Sequence, residues 1–274
     1  MISEYFEKIL QDTYTPDPEA EAMWDSRAEQ FSLSQQSEKT GFPEKVTRLL
    51  TEIGYLSGNT VLDIGGGTGR YALPFAKVAK SVTLSDFSAG MLDQARVNAE
   101  KAGLSNIRYA KLDWDKIEIA GGEYEKSHDI VFAAMCPAVR STSGLLKMAA
   151  AAKKGCVVNQ FIKTHDTLGD RLKTAAGMTD GYDPHNARDT VQATFNIFWD
   201  HGFNVQIAYH TWQAVIDYSL EKAIARYGGR FAGRSYSHDG RVLPFEEMIA
   251  ALAADGGLRS ENETVLATVY WDVD

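Results

Sequence analysis

Five residues in VLDIGGGTGR (61 to 70) set the first chemical question. A carboxylate, Asp63, precedes Gly65, Gly66, Gly67 and Gly69 where a short apolar run breaks. Glycines so dense remove side chains where a ligand or another backbone must come close, and they permit positive φ in a tight turn. A second carboxylate, Asp86, closes the next apolar run, LSDFSAGML (84 to 92). An acid at such a strand end can accept both hydrogen bonds of a ribose diol. A third acid, Asp113, stands beside Trp114 in KLDWDKI. His165 and Asp166 form a possible general base or metal-ligand pair, and His165 is the weak candidate for catalysis. Cys136 precedes Pro137 and reads as a buried free thiol. No constellation reads as a metal centre.

The glycine spacing discriminates between nucleotide sites. A dinucleotide fingerprint requires G-x-G-x-x-G. Gly65 and Gly67 fit, but Arg70 stands at the third glycine position. The pattern Asp63-x-Gly65-x-Gly67-x-Gly69, the phrase Asp86-Phe87-Ser88 leading to Met91, and the pair Asp113-Trp114 together resemble the class I S-adenosylmethionine-dependent methyltransferases. The resemblance covers residues 55 to 165 and the last strands. It implies S-adenosylmethionine as cofactor and S-adenosylhomocysteine as product. It implies that Asp63 orients the loop and the cofactor's amino end, and that Gly65, Gly66, Gly67 and Gly69 wrap its methionine part. Asp86 would hold the ribose, Phe87 and Met91 would lie at the adenine, and Asp113 would receive the adenine amino group with Trp114 packing on the ring. Met135, at the end of the fourth strand, would complete the set. WDSRAEQF (24 to 31) resembles the leading helix that folds over the cofactor in related enzymes. Trp24 and Arg27 would then face it, although a packing tryptophan and a solvated arginine satisfy the same sequence.

These residues need elements to position them. Strand patterns at 59–65, 81–86, 106–110, 129–135 and 155–162 alternate with helical patterns, the first expected from Gly69 to Val78 and others over 88–102 and 141–153. That alternation predicts an α/β fold: a doubly wound, mostly parallel seven-stranded sheet with helices on both faces. Residues 1–55 space apolar positions three and four apart and read as an N-terminal helical cap. Residues 56–274 read as the Rossmann-like domain, with a substrate loop at about 163–186 and an inserted segment at about 217–242. Later elements are expected as helices over 187–201, 219–227 and 244–254 and strands over 203–216 and 264–273, with a loop at 228–241.

Composition narrows the partners. The 274-residue chain has net charge −9, which disfavours phosphate backbones and anionic lipid. The expected acceptor is therefore a small molecule, with RNA, protein, or a purely cofactor-binding role as alternatives. The loop MCPAVRS (135 to 141) lacks the Asn/Asp-Pro-Pro-aromatic motif of adenine and glutamine amino-group methylases, and its order Cys136-Pro137 reverses the Pro-Cys of cytosine C5 methylases. Arg140 there could receive an anion, brace the following helix or face water. Two cysteines give no disulfide framework. No apolar run reaches the ~18 residues of a membrane span, and the acidic N-terminus lacks a signal-peptide pattern, so a cytoplasmic location is expected.

Overall fold

The computed structural model describes residues 2–11, 19–178, 183, 185–231, 236–238, 241–254 and 257–273. Two compact units divide the chain. The first comprises 1–160, 187–210 and 266–274, the second 161–186 and 211–265.

The first unit opens with three helices, α1 (Ile2–Gln11), α2 (Ala20–Ser37) and α3 (Phe42–Glu52). Strands and helices then alternate: β1 (Thr60–Ile64), α4 (Ala72–Ala76), β2 (Ser81–Asp86), α5 (Ala89–Lys101), β3 (Ile107–Lys111), β4 (His128–Ala134), α6 (Thr142–Ala151) and β5 (Ala152–Asp166). Residues 167–254 form α7 (Thr167–Ala175), α8 (Arg188–Asp200), β6 (Gln206–Asp217), α9 (Leu220–Phe231), β7 (Tyr236–His238), β8 (Arg241–Leu243) and α10 (Phe245–Ala254), followed by β9 (Arg259–Asp272). The seven-stranded sheet has the order β3-β2-β1-β4-β5-β9-β6. Its first five strands are parallel, with Asp63 opposite Leu84 and Phe132. The sheet as a whole is mixed.

Local chemistry fixes the helix starts. The Ser88 hydroxyl caps α5 by accepting the Met91 N–H at 3.1 Å, Ser141 caps α6 through Gly144 N–H at 2.9 Å, and Asp166 caps α7 through Gly169 N–H at 3.0 Å. In the first unit's core, Phe75 meets Phe132 edge-on at 4.8 Å, and the Trp271 ring lies 3.8 Å from Phe198. The second unit buries Leu168, Leu172, Tyr227, Phe231, Phe245 and Ile249 together.

Three elements differ from the sequence expectation. The helix expected from Gly69 to Val78 is only α4. Gly67 and Gly69 hold φ of +55° and +94°, so the chain is still turning before Tyr71, and Val78 N–H closes a tight turn on the Phe75 carbonyl at 2.9 Å. The loop expected from residue 163 begins later. β5 runs to Asp166 and α7 follows, because the polar KTHD segment is anchored by Lys163 to Glu263 and by the Thr164 N–H to the Asn186 side chain at 2.7 Å. The loop expected at 228–241 contains the end of α9 and, paired antiparallel with β8, strand β7. Residues 179–182, 184, 232–235, 239 and 240 of the expected loops lie outside the described residues.

Candidate cofactor-binding site

The parallel strands deliver Asp63, Asp86 and Met135 to one edge of the sheet. Asp63 sits in β1 with 1% exposure. Burial, and then the Asp86 charge, push its carboxyl well above the usual carboxylate range, while the Ala72 backbone N–H favours the ionised form. Its Oδ2 has no hydrogen-bond partner among the described residues. A buried carboxylate oxygen in that state costs free energy unless something donates to it.

The glycines are there for close approach. A Cβ on Gly66 would lie 2.8 Å from Asp63 Oδ2 and 2.8 Å from Leu84 Cγ. Gly65 has φ +62°, and a Cβ there would lie 2.7 Å from Cys136 Sγ. Cys136 is buried, and burial raises its thiol to about 12. It packs against the loop as a neutral group, consistent with its reading as a free structural thiol.

Asp86 ties the loop to the next helix. Its Oδ2 accepts the Gly67 N–H at 3.0 Å and its Oδ1 accepts the Ser88 N–H at 2.9 Å. Burial raises its pKa, and the N–H groups of Ser88, Gly67 and Phe87 oppose that shift. A carboxylate has about four lone-pair positions, so both oxygens keep capacity for a diol. Phe87 is half-buried, and Met91, in the first turn of α5, is 2% exposed.

Helix α2 lies against this loop. The Phe31 ring comes within 3.8 Å of a Cβ position on Gly67, and Trp24 meets Phe31 edge-on at 5.4 Å. Thr68 Oγ1 donates to Gln35 Oε1 at 2.9 Å, and the buried Asn98 amide donates to Ser32 Oγ and the Thr68 carbonyl, each at 2.9 Å. Asp25 Oδ1 accepts the Ser88 hydroxyl at 2.6 Å and the Gly90 N–H at 2.8 Å. Those two donors hold the Asp25 carboxyl below its usual range. Arg70 pairs with Glu38 at 2.6 Å, so this arginine joins the loop to the end of α2. Asp25, Ser32 and Gln35 carry no motif in the sequence. Their helical spacing was the available signal, but the stripe is small and polar, and apolar periodicity passes over it.

The other expected residues are placed as follows. Asp113 pairs with Lys116 at 2.7 Å. Trp114 is 3% exposed, with its indole N–H donating to the Gly144 carbonyl at 3.1 Å. Met135 is half-buried and holds φ +49°, a left-handed conformation costly for a side chain bearing Cβ. Arg27 is exposed. Arg140 is buried and reaches Gln160 Oε1 at 3.4 Å. In the second unit, His165 is half exposed, 3.2 Å from the Asp170 carboxylate. Asp166 instead caps α7 and accepts the hydroxyls of Tyr227 and Ser260 at 2.7 and 2.6 Å. Among the described residues, no cluster of three or more His, Cys, Asp or Glu has metal-site geometry, and no helix is long and apolar enough to cross a membrane.

Parts of the chain are similar to known proteins. Residues 61–155 match the family described as "Methyltransferase domain". A magnesium protoporphyrin IX methyltransferase of Arabidopsis thaliana is 29% identical over 161 residues, 57% of this chain and 51% of that protein. An S-adenosyl-L-methionine-dependent Diels-Alderase of a Neonectria species is 36% identical over 84 residues, 30% of this chain and 33% of that one. The chain thus spans about half or less of these curated relatives. Among solved structures, the YcgJ protein of Bacillus subtilis shares the fold with TM-score 0.50 at 17% identity, over 83% of this chain and 98% of that one. Residues 61–155, from β1 into the start of β5, thus form a class I methyltransferase domain, a family whose cofactor is S-adenosylmethionine.

Proposed function

We propose that this chain transfers a methyl group from S-adenosylmethionine to a small-molecule acceptor. The observation that carries the reading is the edge formed by Asp63, the glycine loop and Asp86: an unpartnered buried carboxylate oxygen, a backbone cradle that a Cβ would fill, and a second carboxylate with spare lone pairs. The bound cofactor would supply an activated sulfonium methyl. Asp63 Oδ2 would accept from its ammonium end, Gly65–Gly69 would line its chain, and Asp86 would accept the ribose diol. Phe87, Met91 and Met135 would form the apolar wall for the base, with Asp113 at its amino group and Trp114 supporting that wall. In-line displacement needs alignment and exclusion of water more than a fixed base, so no catalytic residue is assigned. Residues 1–55 act as a cap and 56–274 as the catalytic domain. The packing of α2 on the glycine loop supports this, with Trp24 and Arg27 on the covering helix.

The net charge of −9 favours a small acceptor over a polyanion. The relative that acts on magnesium protoporphyrin IX supports the same choice. A second reading, cofactor binding without methyl transfer, draws on the relative named as a Diels-Alderase. Calorimetric titration with S-adenosylmethionine, S-adenosylhomocysteine and NAD tests the site. Both adenosyl ligands bind, NAD does not, and Asp86→Ala weakens binding at least about tenfold, the loss expected for charge-assisted hydrogen bonds. Binding of NAD alone refutes the site assignment. Methyl-labelled cofactor with an acceptor panel then separates the readings: label in a small product supports the proposal, label in RNA or protein redirects it, and binding without transfer favours the second reading.

A further inference from the structure

The opposite edge of the sheet holds a cavity of about 370 Å³. Thr60, Ser81 and His128, the first residues of β1, β2 and β4, line it. Because these strands are parallel, the edge lies roughly 13 Å from the one carrying Ile64 and Asp86, about four residues of strand rise.

The lining has an unusual charge balance for so acidic a chain. Lys80 and Arg108 both border the cavity. Among the described residues, neither side chain has an ion-pair or hydrogen-bond partner, and neither does the Ser81 hydroxyl. Glu123 is the one carboxylate in the lining. The back wall is tied together by hydrogen bonds. His128 Nδ1 is 2.8 Å from Ser127 Oγ and its Nε2 is 2.9 Å from Thr83 Oγ1, so both ring nitrogens are engaged. Its ring stacks with Tyr124 at 6.5 Å and 12°. The Thr60 hydroxyl is already committed to Asp129 at 2.9 Å. The groups left to meet a ligand are an ammonium, a guanidinium and a hydroxyl around a polar recess with one aromatic wall. A guanidinium with free N–H groups matches two oxygens of an oxyanion at once, and the volume is that of a small-molecule site.

We infer that this recess binds the phosphate group of a small phosphate monoester, with Arg108 and Lys80 as the charge partners and Ser81 as a hydroxyl donor. The inference is independent of the methyltransferase reading. Neither cation is buried, so their replacement leaves the fold intact, and the thermal midpoint reports that directly.

The test titrates the full chain, with S-adenosylhomocysteine present throughout, with inorganic phosphate, ribose 5-phosphate and ribose. Both phosphates are expected to bind saturably and ribose not at all. Arg108→Gln and Lys80→Gln are each expected to weaken phosphate binding about tenfold, the value of one charge-assisted contact, with unchanged thermal midpoints. No saturable phosphate binding overturns the inference. So does saturable binding that both variants leave unaltered. The phosphate titration reads the same way whether or not S-adenosylhomocysteine binds, so failure of the cofactor assignment is a separate result.

Discussion

Gly65→Ala probes the tightest point of the glycine loop. A methyl there would sit 2.7 Å from Cys136 Sγ and 3.3 Å from Cys136 Cβ, on a residue with φ +62°. Two costs follow. Overpacking against a buried neighbour is worth about 1–3 kcal/mol, and left-handed backbone at a residue with Cβ about 1–2 kcal/mol. Together they predict a loss of roughly 2–5 kcal/mol, a large share of the stability of an ordinary domain. Only the first cost involves the sulfur. Cys136→Ala alone leaves a small cavity and costs about 1 kcal/mol. In the double variant the 2.7 Å contact is gone, while the 3.3 Å contact and the backbone strain remain. The double variant should therefore be more stable than the sum of the single losses predicts by at least about 1 kcal/mol, as neighbouring sites in contact couple. Urea denaturation of the four proteins measures this directly. Additivity within about 0.5 kcal/mol would refute the packing argument. Cys136→Ala should also keep methyl transfer, since a neutral buried thiol is no nucleophile.

Three further outcomes are expected. Asp63 has a raised pKa, so its contribution to stability is present below the ordinary carboxylate range and lost as pH rises through the raised value. Ligand-free Asp63→Asn should therefore gain thermal midpoint relative to the parent as pH rises above the ordinary carboxylate range, while losing cofactor affinity. Asp25 has a lowered pKa, so its contribution is present above the ordinary carboxylate range and lost as pH falls through the depressed value; Asp25→Ala should speed hydrogen exchange across α2 at neutral pH and lose that difference in acid. His165→Ala should change turnover less than tenfold, because a required general base would cost about 10²–10⁴, and a loss of that size would place His165 in the chemistry.

The βαβ half of the fold is legible because its signals are local. Buried apolar runs end in glycine or acid, and Ser88 and Ser141 announce the helices they cap. The same locality exposes Asp63, Asp86 and the glycines, whose spacing follows from one strand–turn–helix. What escapes is set by tertiary partners. The shortness of α4 depends on the positive φ of Gly67 and Gly69, and the extension of β5 depends on Asn186 and Glu263, far along the chain. Asp25 escapes because an exposed helical acid has no sequence mark that distinguishes it until Ser88 and Gly90 are seen opposite it.

Both cysteines have a practical consequence for motion. Cys136 lies on Gly65, and Cys156 lies in mid-sheet opposite Val131 with no exposure. Burial raises both thiols, so alkylating reagents reach them only through openings that bring the sulfur to water as thiolate. Their labelling rates are then two clocks in one molecule: Cys136 times the excursions of the glycine loop, and Cys156 times the breathing of the sheet beneath it.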